Sequence, residues 1–108
     1  MADVMHPIRV ASNFSLFSEE FWLALCHDGV EDGYLPRFLC RWWPALDAIT
    51  RRSGETYRPD YLRRVYFEPV ARRVKIADLL DNLYGREFPP GRTLADRYHQ
   101  ALAYLQDF

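Results

Sequence analysis

The chain has 108 residues and a net charge of −1 at pH 7, and 49% of its residues are hydrophobic. This length predicts one domain over residues 1–108, with roughly two-thirds of its unfolded surface buried, and argues against several domains. The longest apolar run, 21–26, is far shorter than the ~20 residues of a membrane span, and the first residues lack the basic and apolar regions of a secretory signal, so we expect a cytoplasmic protein without a membrane partner.

Helix signals follow one another along the sequence, and no period-2 alternation indicates a strand. Pro7 can open a short first helix, Ser18 is a good N-cap for the second, and Gly85 stops a regular helix that begins at Pro69. The sequence therefore predicts an all-α fold. The predicted helices are 6–13, 19–27, 37–42, 45–52, 60–66, 69–84 and 93–105.

A histidine and an aspartate, His27 and Asp28, stand together at the predicted end of the second helix. Such a pair presents two metal ligands from adjacent positions. If the helix continues, Glu31 and Asp32 bring two more carboxylates to the face of Asp28, and clustered acids favour a cation between them. A helix end with solvated acids and a capping histidine would explain the same residues, so this segment alone leaves both interpretations open.

The helix that begins at Pro69 carries a second polar set. Lys75, Asp78 and Asn82 share one face at a spacing of i, i+3 and i+7. Asp78 lies at the edge of a predicted apolar stripe, and a carboxylate there needs a partner, either a metal ion or an arginine. The stripe consists of Val74, Ala77, Leu80, Leu83 and Tyr84.

His6, directly before Pro7, is a third candidate ligand. Two histidines and two aspartates form a mixed nitrogen and oxygen set that suits manganese, iron or zinc and leaves positions for water and substrate. The long separations between these residues do not by themselves predict that they meet. A solvated histidine near the N-terminus is the alternative for His6.

Four ordered segments are HPIRVA at 6–11, ALCHDGVED at 24–32, AIT at 48–50 and VKIADLLDNL at 74–83. Together they resemble the HD-domain hydrolases, and most closely the hydrolase domain of the RelA/SpoT type, which removes pyrophosphate from the 3′ position of (p)ppGpp. The resemblance implies a compact all-α HD fold of about five to six helices. It also implies that the helix which usually precedes the first histidine of the family has no counterpart in the five residues before His6.

The resemblance implies one divalent metal ion, expected to be manganese, held by four side chains, His6, His27, Asp28 and Asp78. Glu31 and Asp32 match the acidic pair of the family that orients or deprotonates the attacking water. A carboxylate beside activated water acts as a general base. The resemblance therefore assigns the catalytic role to these two acids.

Asn82 matches a family residue that lines the nucleotide pocket. Lys75 lies in the last motif, and Arg51 and Arg52 follow the third, so these three cations are candidates for neutralising the pyrophosphate leaving group. We therefore expect a metal-dependent phosphohydrolase that acts on a nucleotide, with guanosine 3′,5′-bis(diphosphate) 3′-pyrophosphohydrolase activity first among the possibilities.

The sequence departs from the family at Asp81 and Tyr84, where a histidine and an arginine are usual, and in the missing basic loop that helps to hold the guanine base. A hydrolase of another phosphorylated nucleotide would use the same metal site. A non-catalytic HD module that binds a nucleotide or a protein partner is the alternative from a different class. The complete set of predicted ligands and acids favours an enzyme.

Charge is unevenly distributed along the chain. Residues 1–50 contain three basic and seven acidic residues, whereas 51–108 contain eleven and eight. We expect most of the arginines on a solvated face, a minority at an anion site, and no nucleic-acid polymer as partner. We expect the aromatic residues in the core, and we predict that apolar surface left by the missing helix supports a homo-oligomer. These aromatic residues are Trp22, Phe38, Trp42, Trp43, Tyr61, Tyr66 and Phe67.

Overall fold

A computed structural model describes residues 5–106, in which the regular secondary structure is helical and no strand occurs. An irregular turn, Tyr57–Tyr61, precedes the fifth helix, and a π-helical turn, Asp81–Gly85, extends the sixth. The all-α prediction is confirmed, and the described residues hold more than the five to six helices expected because four of the helices have only four to six residues. The helices are α1 His6–Ala11, α2 Glu19–Cys26, α3 Leu39–Trp42, α4 Pro44–Ile49, α5 Leu62–Tyr66, α6 Pro69–Leu80 and α7 Arg92–Gln106.

Local capping determines where α2 and α6 begin. The Ser18 hydroxyl accepts a hydrogen bond from the backbone N–H of Phe21 at 3.2 Å, as the N-cap prediction requires. At the start of α6 the cap is Glu68, whose carboxylate accepts from the backbone N–H of Ala71 at 2.7 Å. Pro69 then occupies the first turn, where its missing N–H costs nothing.

Several predicted helices are shorter in the structure, and the helix predicted over 45–52 is one of them. α4 ends at Ile49 because Thr50 is extended (φ −88°, ψ 124°), so the prediction of a helix to residue 52 is wrong. Before the predicted helix 60–66, Arg58 is also extended (φ −135°, ψ 123°), and a π-helical turn that ends at Tyr61 leads into α5 at Leu62. The non-helical segment between them carries Arg51, which lines the same cavity as residues of α6.

α6 is the central helix and packs against α1, α2, α4, α5 and α7. Val74, Ala77 and Leu83 are buried as predicted, but Leu80 and Tyr84 are exposed, so that part of the predicted stripe is wrong. The neighbouring helices bury a face of α6 that includes Leu79. The side that carries Leu80 and Tyr84 instead borders a groove, so these two residues stay exposed. None of the helices over residues 5–106 has the length and apolarity needed to cross a bilayer.

The aromatic residues divide between core and surface. Tyr61 is buried, and its hydroxyl donates to the carbonyl oxygen of Ile49 at 2.5 Å. Trp43 and Tyr66 are half-buried against the core. The prediction of a core position is wrong for four others, which are exposed, namely Trp22, Phe38, Trp42 and Phe67. Phe38 and Trp42 belong to the single turn of α3 and its N-cap, at the periphery of the fold. Trp22 and Phe67 lie on the solvent side of α2 and at the end of α5.

Candidate metal centre

The structure brings the four residues predicted as metal ligands together. One ligand atom from each of His6, His27, Asp28 and Asp78 lies within 4.8 Å of the other three. Both histidines and Asp78 are buried, whereas the Asp28 side chain is 41% exposed. The group is thus surrounded by protein on three sides and open to solvent at Asp28. A catalytic metal site needs such an opening so that water can reach the bound ion.

Helix packing explains this convergence. α1 packs on α2, and both pack on α6. His6 begins α1, His27 follows the last residue of α2, and Asp78 lies one turn after the buried Val74 of α6. Burial of the apolar faces of these three helices therefore places their polar residues at a common point.

Asp78 lies at the centre of the group. Its Oδ1 atom is 2.6 Å from Nε2 of His6 and 3.0 Å from Nε2 of His27. Oδ2 of Asp28 is 3.3 Å from Nε2 of His27 and 3.8 Å from Nε2 of His6. Two ring nitrogens and two carboxylate oxygens therefore surround one small volume, a donor set that suits a divalent cation.

Hydrogen bonds on the far side of each ring fix which nitrogen faces the site. Nδ1 of His27 is 2.6 Å from the carbonyl oxygen of Ala24, which can only accept, so this nitrogen carries the hydrogen. Nδ1 of His6 is 2.5 Å from Oδ2 of Asp81 and donates to that carboxylate. Both rings therefore present Nε2 to the group, as metal-ligating histidines do, and the residues fit a divalent metal ion.

Asp81 is a site residue that the sequence reasoning missed. Besides its bond from His6, it accepts hydrogen bonds from Arg9, at 2.8 Å from Nε and 3.0 Å from the terminal nitrogen. No local signal marks Asp81, because its contacts with His6 and Arg9 depend on the packing of α1 against the end of α6.

Lys75 is the cationic partner of Asp78, in place of the arginine considered from the sequence. Its Nζ atom donates to Oδ2 of Asp78 at 3.0 Å, which leaves Oδ1 directed at the histidines. Burial opposes ionisation of Asp78, but Lys75 and the hydrogen bonds from the two rings outweigh it and hold the pKa of Asp78 well below its ordinary range. The carboxylate is therefore charged and ready to bind a cation.

The carboxylates also act on the two histidines. Burial by itself lowers the pKa of each ring. Hydrogen bonds to Asp78, and for His6 also to Asp81, outweigh burial and raise the pKa of both histidines above the ordinary value. A metal ion that binds here must therefore compete with protons.

A cavity of about 310 Å³ opens beside the ligand group. Seven of the ten predicted site residues line it, namely His6, Asp28, Glu31, Arg51, Lys75, Asp78 and Asn82. His27 lies buried behind this lining. The cavity is thus lined by three of the four predicted ligands, one predicted acid and three predicted substrate contacts, including the shared face of Lys75, Asp78 and Asn82.

Glu31 and Asp32 separate in the structure. α2 ends at Cys26 and residues 27–33 form turns, so the three carboxylates do not share a helix face. Glu31 lines the cavity, and its Oε1 atom accepts from the backbone N–H of Arg51 at 2.5 Å. Asp32 is exposed and is not part of the lining.

Arg51 and Arg52 also take different positions. The Arg51 guanidinium lies over the ring of Tyr57, 5.2 Å from its centroid, beside the cavity. Arg52 instead pairs with Asp47 at 2.9 Å on the surface and does not line the cavity, because the chain leaves the helix at residue 50. Arg51 therefore lines the cavity beside the ligand group and Arg52 does not.

The fold and the site by themselves define an all-α protein with a buried histidine and aspartate group that can hold a metal ion. No protein-family model matches the chain, and no curated protein matches it.

Proposed function

We propose that this protein is a metal-dependent phosphohydrolase of the HD type that acts on a nucleotide in the cytoplasm, with manganese as the metal. The expected substrate is guanosine 3′,5′-bis(diphosphate), from which the 3′-pyrophosphate group is removed. One observation carries the proposal. Four side chains from three separate motifs bring ligand atoms within 4.8 Å of one another beside an open cavity.

A bound divalent ion supplies Lewis acidity, which polarises a phosphate oxygen and lowers the pKa of a coordinated water. Glu31 is the general base of the proposal, because it is the predicted acid that lines the cavity. The backbone N–H of Arg51 holds its Oε1 atom, and Oε2 makes no hydrogen bond within residues 5–106. Glu31 is thus oriented and keeps one oxygen available to receive the proton of the attacking water.

Cationic side chains of the cavity bind and orient the phosphate groups. Lys75 is fixed by Asp78, and the Arg51 guanidinium lies at the cavity wall. Asn82 accepts a hydrogen bond from Nε of Arg86 at 2.9 Å, so its amide oxygen is engaged and its NH₂ group can donate to substrate. Fixed donors of this kind stabilise the charge that develops on a leaving pyrophosphate.

The test is to incubate the manganese-loaded protein with guanosine 3′,5′-bis(diphosphate), GTP, GDP and deoxynucleotides and to measure released phosphate and pyrophosphate. We expect pyrophosphate from the first compound, with loss of release in Asp78→Asn and Glu31→Gln. Asp96→Asn, an exposed carboxylate of α7 outside the cavity, is the matched control and should keep wild-type activity. No release from any compound by the wild-type protein would overturn the proposal.

The same assay separates the alternatives. Turnover of another nucleotide with guanosine 3′,5′-bis(diphosphate) untouched would assign the site to a different phosphorylated nucleotide. Metal and nucleotide binding without turnover would indicate a non-catalytic HD module.

We also propose that the protein forms a homo-oligomer. Trp42 and Phe67 are 75% and 71% exposed, so large apolar side chains are available for contact with a second copy. Sedimentation of the protein as a monomer at micromolar concentration would contradict it.

A further inference from the structure

One peptide group of the chain holds the Glu31 carboxylate. Within residues 5–106, this carboxylate makes a single hydrogen bond, which Oε1 accepts from the backbone N–H of Arg51 at 2.5 Å. At the other end of the same peptide group, the carbonyl oxygen of Thr50 accepts a hydrogen bond from a terminal nitrogen of Arg64 at 2.7 Å. We propose that Arg64 is a positioning residue, which orients Glu31 through the peptide group between Thr50 and Arg51. The inference rests on the proposed function, in which Glu31 is the general base.

This peptide group transmits orientation from its oxygen to its hydrogen. The bond between residues 50 and 51 is trans, and its partial double-bond character keeps the group planar. Its C=O and N–H therefore point in opposite directions from one rigid plane, so a residue that fixes the oxygen also fixes the hydrogen. Rotation of the plane would turn the N–H away from Glu31, and the hydrogen bond from Arg64 opposes that rotation.

The charge of Arg64 strengthens both contacts of the peptide group. Hydrogen bonds from a guanidinium group are roughly twice as strong as neutral ones. They also polarise the peptide group, so the N–H at its other end becomes a stronger donor to the Glu31 carboxylate. The Arg64 side chain is only 19% exposed, so solvent screens its hydrogen bond to Thr50 only in part.

Other side chains hold the backbone on both sides of this peptide group. The Glu55 carboxylate forms an ion pair with Arg64, and its Oε1 atom accepts from the backbone N–H of Arg52 at 2.9 Å. On the other side, the hydroxyl of Tyr61 donates to the carbonyl oxygen of Ile49 at 2.5 Å. Because the flanking residues are fixed, the hydrogen bond from Arg64 sets the direction of one plane in an otherwise ordered segment.

Arg64 does not line the cavity beside the ligand group, so it acts on the reaction only through its neighbours. Its loss should therefore lower kcat and leave KM unchanged. Misplacement of a catalytic group by about 1 Å can cost 10²-fold in rate, and we expect kcat of Arg64→Gln to fall by about ten- to a hundredfold. Arg64→Lys keeps the charge but not the planar fork, so it should retain part of the activity.

The amide proton of Arg51 tests the coupling without any turnover. The measurement is a series of ¹H–¹⁵N NMR spectra of the labelled protein with Mg²⁺, a diamagnetic divalent ion. In Arg64→Gln, we expect the Arg51 amide resonance to move upfield and its proton to exchange with solvent about tenfold faster or more, the scale of a charge-assisted hydrogen bond. Arg63→Gln is the matched control, because Arg63 is exposed on the same helix and lies outside the cavity; it should keep the wild-type amide and the wild-type kcat.

An unchanged Arg51 amide in folded Arg64→Gln, or a rise in KM with kcat unchanged, would overturn the inference. If Arg64→Gln does not fold, the same measurements on Arg64→Lys decide, and a wild-type amide and kcat in that variant would overturn it. An Arg51 amide that depends on Arg64 in a protein that hydrolyses nothing would support the coupling to Glu31 and contradict the proposed function.

Discussion

Replacing Asp81 by alanine should weaken metal binding although Asp81 is not itself a ligand. Its carboxylate accepts a hydrogen bond from Nδ1 of His6 at 2.5 Å and two more from Arg9 at 2.8 and 3.0 Å. Without Asp81, the His6 ring loses the hydrogen bond that keeps its Nε2 atom directed at Asp78. Loss of such an outer partner typically reduces metal affinity by about 10–100-fold, which corresponds to roughly 1.4–2.8 kcal/mol.

The effect on folding should be of similar size. The Asp81 side chain is 8% exposed and Arg9 is 31% exposed, so solvent screens this pair in part. We expect the free energy of unfolding of the metal-free protein to fall by about 1–3 kcal/mol. The variant should therefore remain folded, and its metal affinity can be measured.

The assay is calorimetric titration of Mn²⁺ into wild-type protein, Asp81→Ala and Asp47→Ala. Asp47 also pairs with an arginine, Arg52, at 2.9 Å, but on the surface and away from the ligand group. Asp47→Ala should therefore bind Mn²⁺ like wild type. Equal affinity in folded Asp81→Ala would refute the role assigned to the Asp81 contact with His6.

Further predictions concern close packing, acid stability and a buried hydroxyl. Gly85→Ala should lower Mn²⁺ affinity in the same titration, because a Cβ atom there collides with the Asp81 carboxylate. Burial raises the pKa of Glu55, but the hydrogen bonds from Arg64 and from the backbone N–H of Arg52 outweigh burial and lower this pKa in the folded protein. Glu55 therefore supplies about 1 kcal/mol of folding stability above pH 4.5. This stability is lost as the pH falls through the lowered pKa of the folded state. Glu55→Gln and wild type should therefore differ in urea unfolding at pH 7 and converge in acid, and a constant difference would count against this pairing. Tyr61→Phe should lose about 1–2 kcal/mol in urea unfolding, because the buried hydroxyl donates to a carbonyl that would be left unpaired; an unchanged midpoint would contradict this.

The start of a helix could be predicted where a local residue determines it. Ser18 caps α2 through its own hydroxyl, and Pro69 occupies the first turn of α6. The exposed side of α6 could not be predicted in the same way. Leu80 fits the apolar period, yet it is 40% exposed, because the neighbours of a helix determine which of its apolar residues are covered.

The ligand group depended on the resemblance. The spacing of His6, His27 and Asp78 contains no information about distance in space, and only the ordered motifs suggested that they meet. The contact of Asp81 with His6 was missed because it depends on the packing of α1 against the end of α6. Tertiary packing likewise decides that Glu31 faces the cavity and Asp32 does not.

The positions of Arg51 and Arg52 relative to the cavity could not be predicted from the sequence either. Arg51 and Arg52 were equivalent in the sequence, where both followed a predicted helix. The extended conformation of Thr50 ends that helix early, and only Arg51 then lines the cavity.

Anomalous diffraction at the manganese absorption edge, from crystals grown with Mn²⁺, tests most directly whether the four residues hold one divalent ion. We predict a single strong peak bonded by Nε2 of His6, Nε2 of His27 and the carboxylates of Asp28 and Asp78. A map without a peak at this position at saturating Mn²⁺, or with the ion bound by other residues, would contradict the metal centre and with it the proposed chemistry.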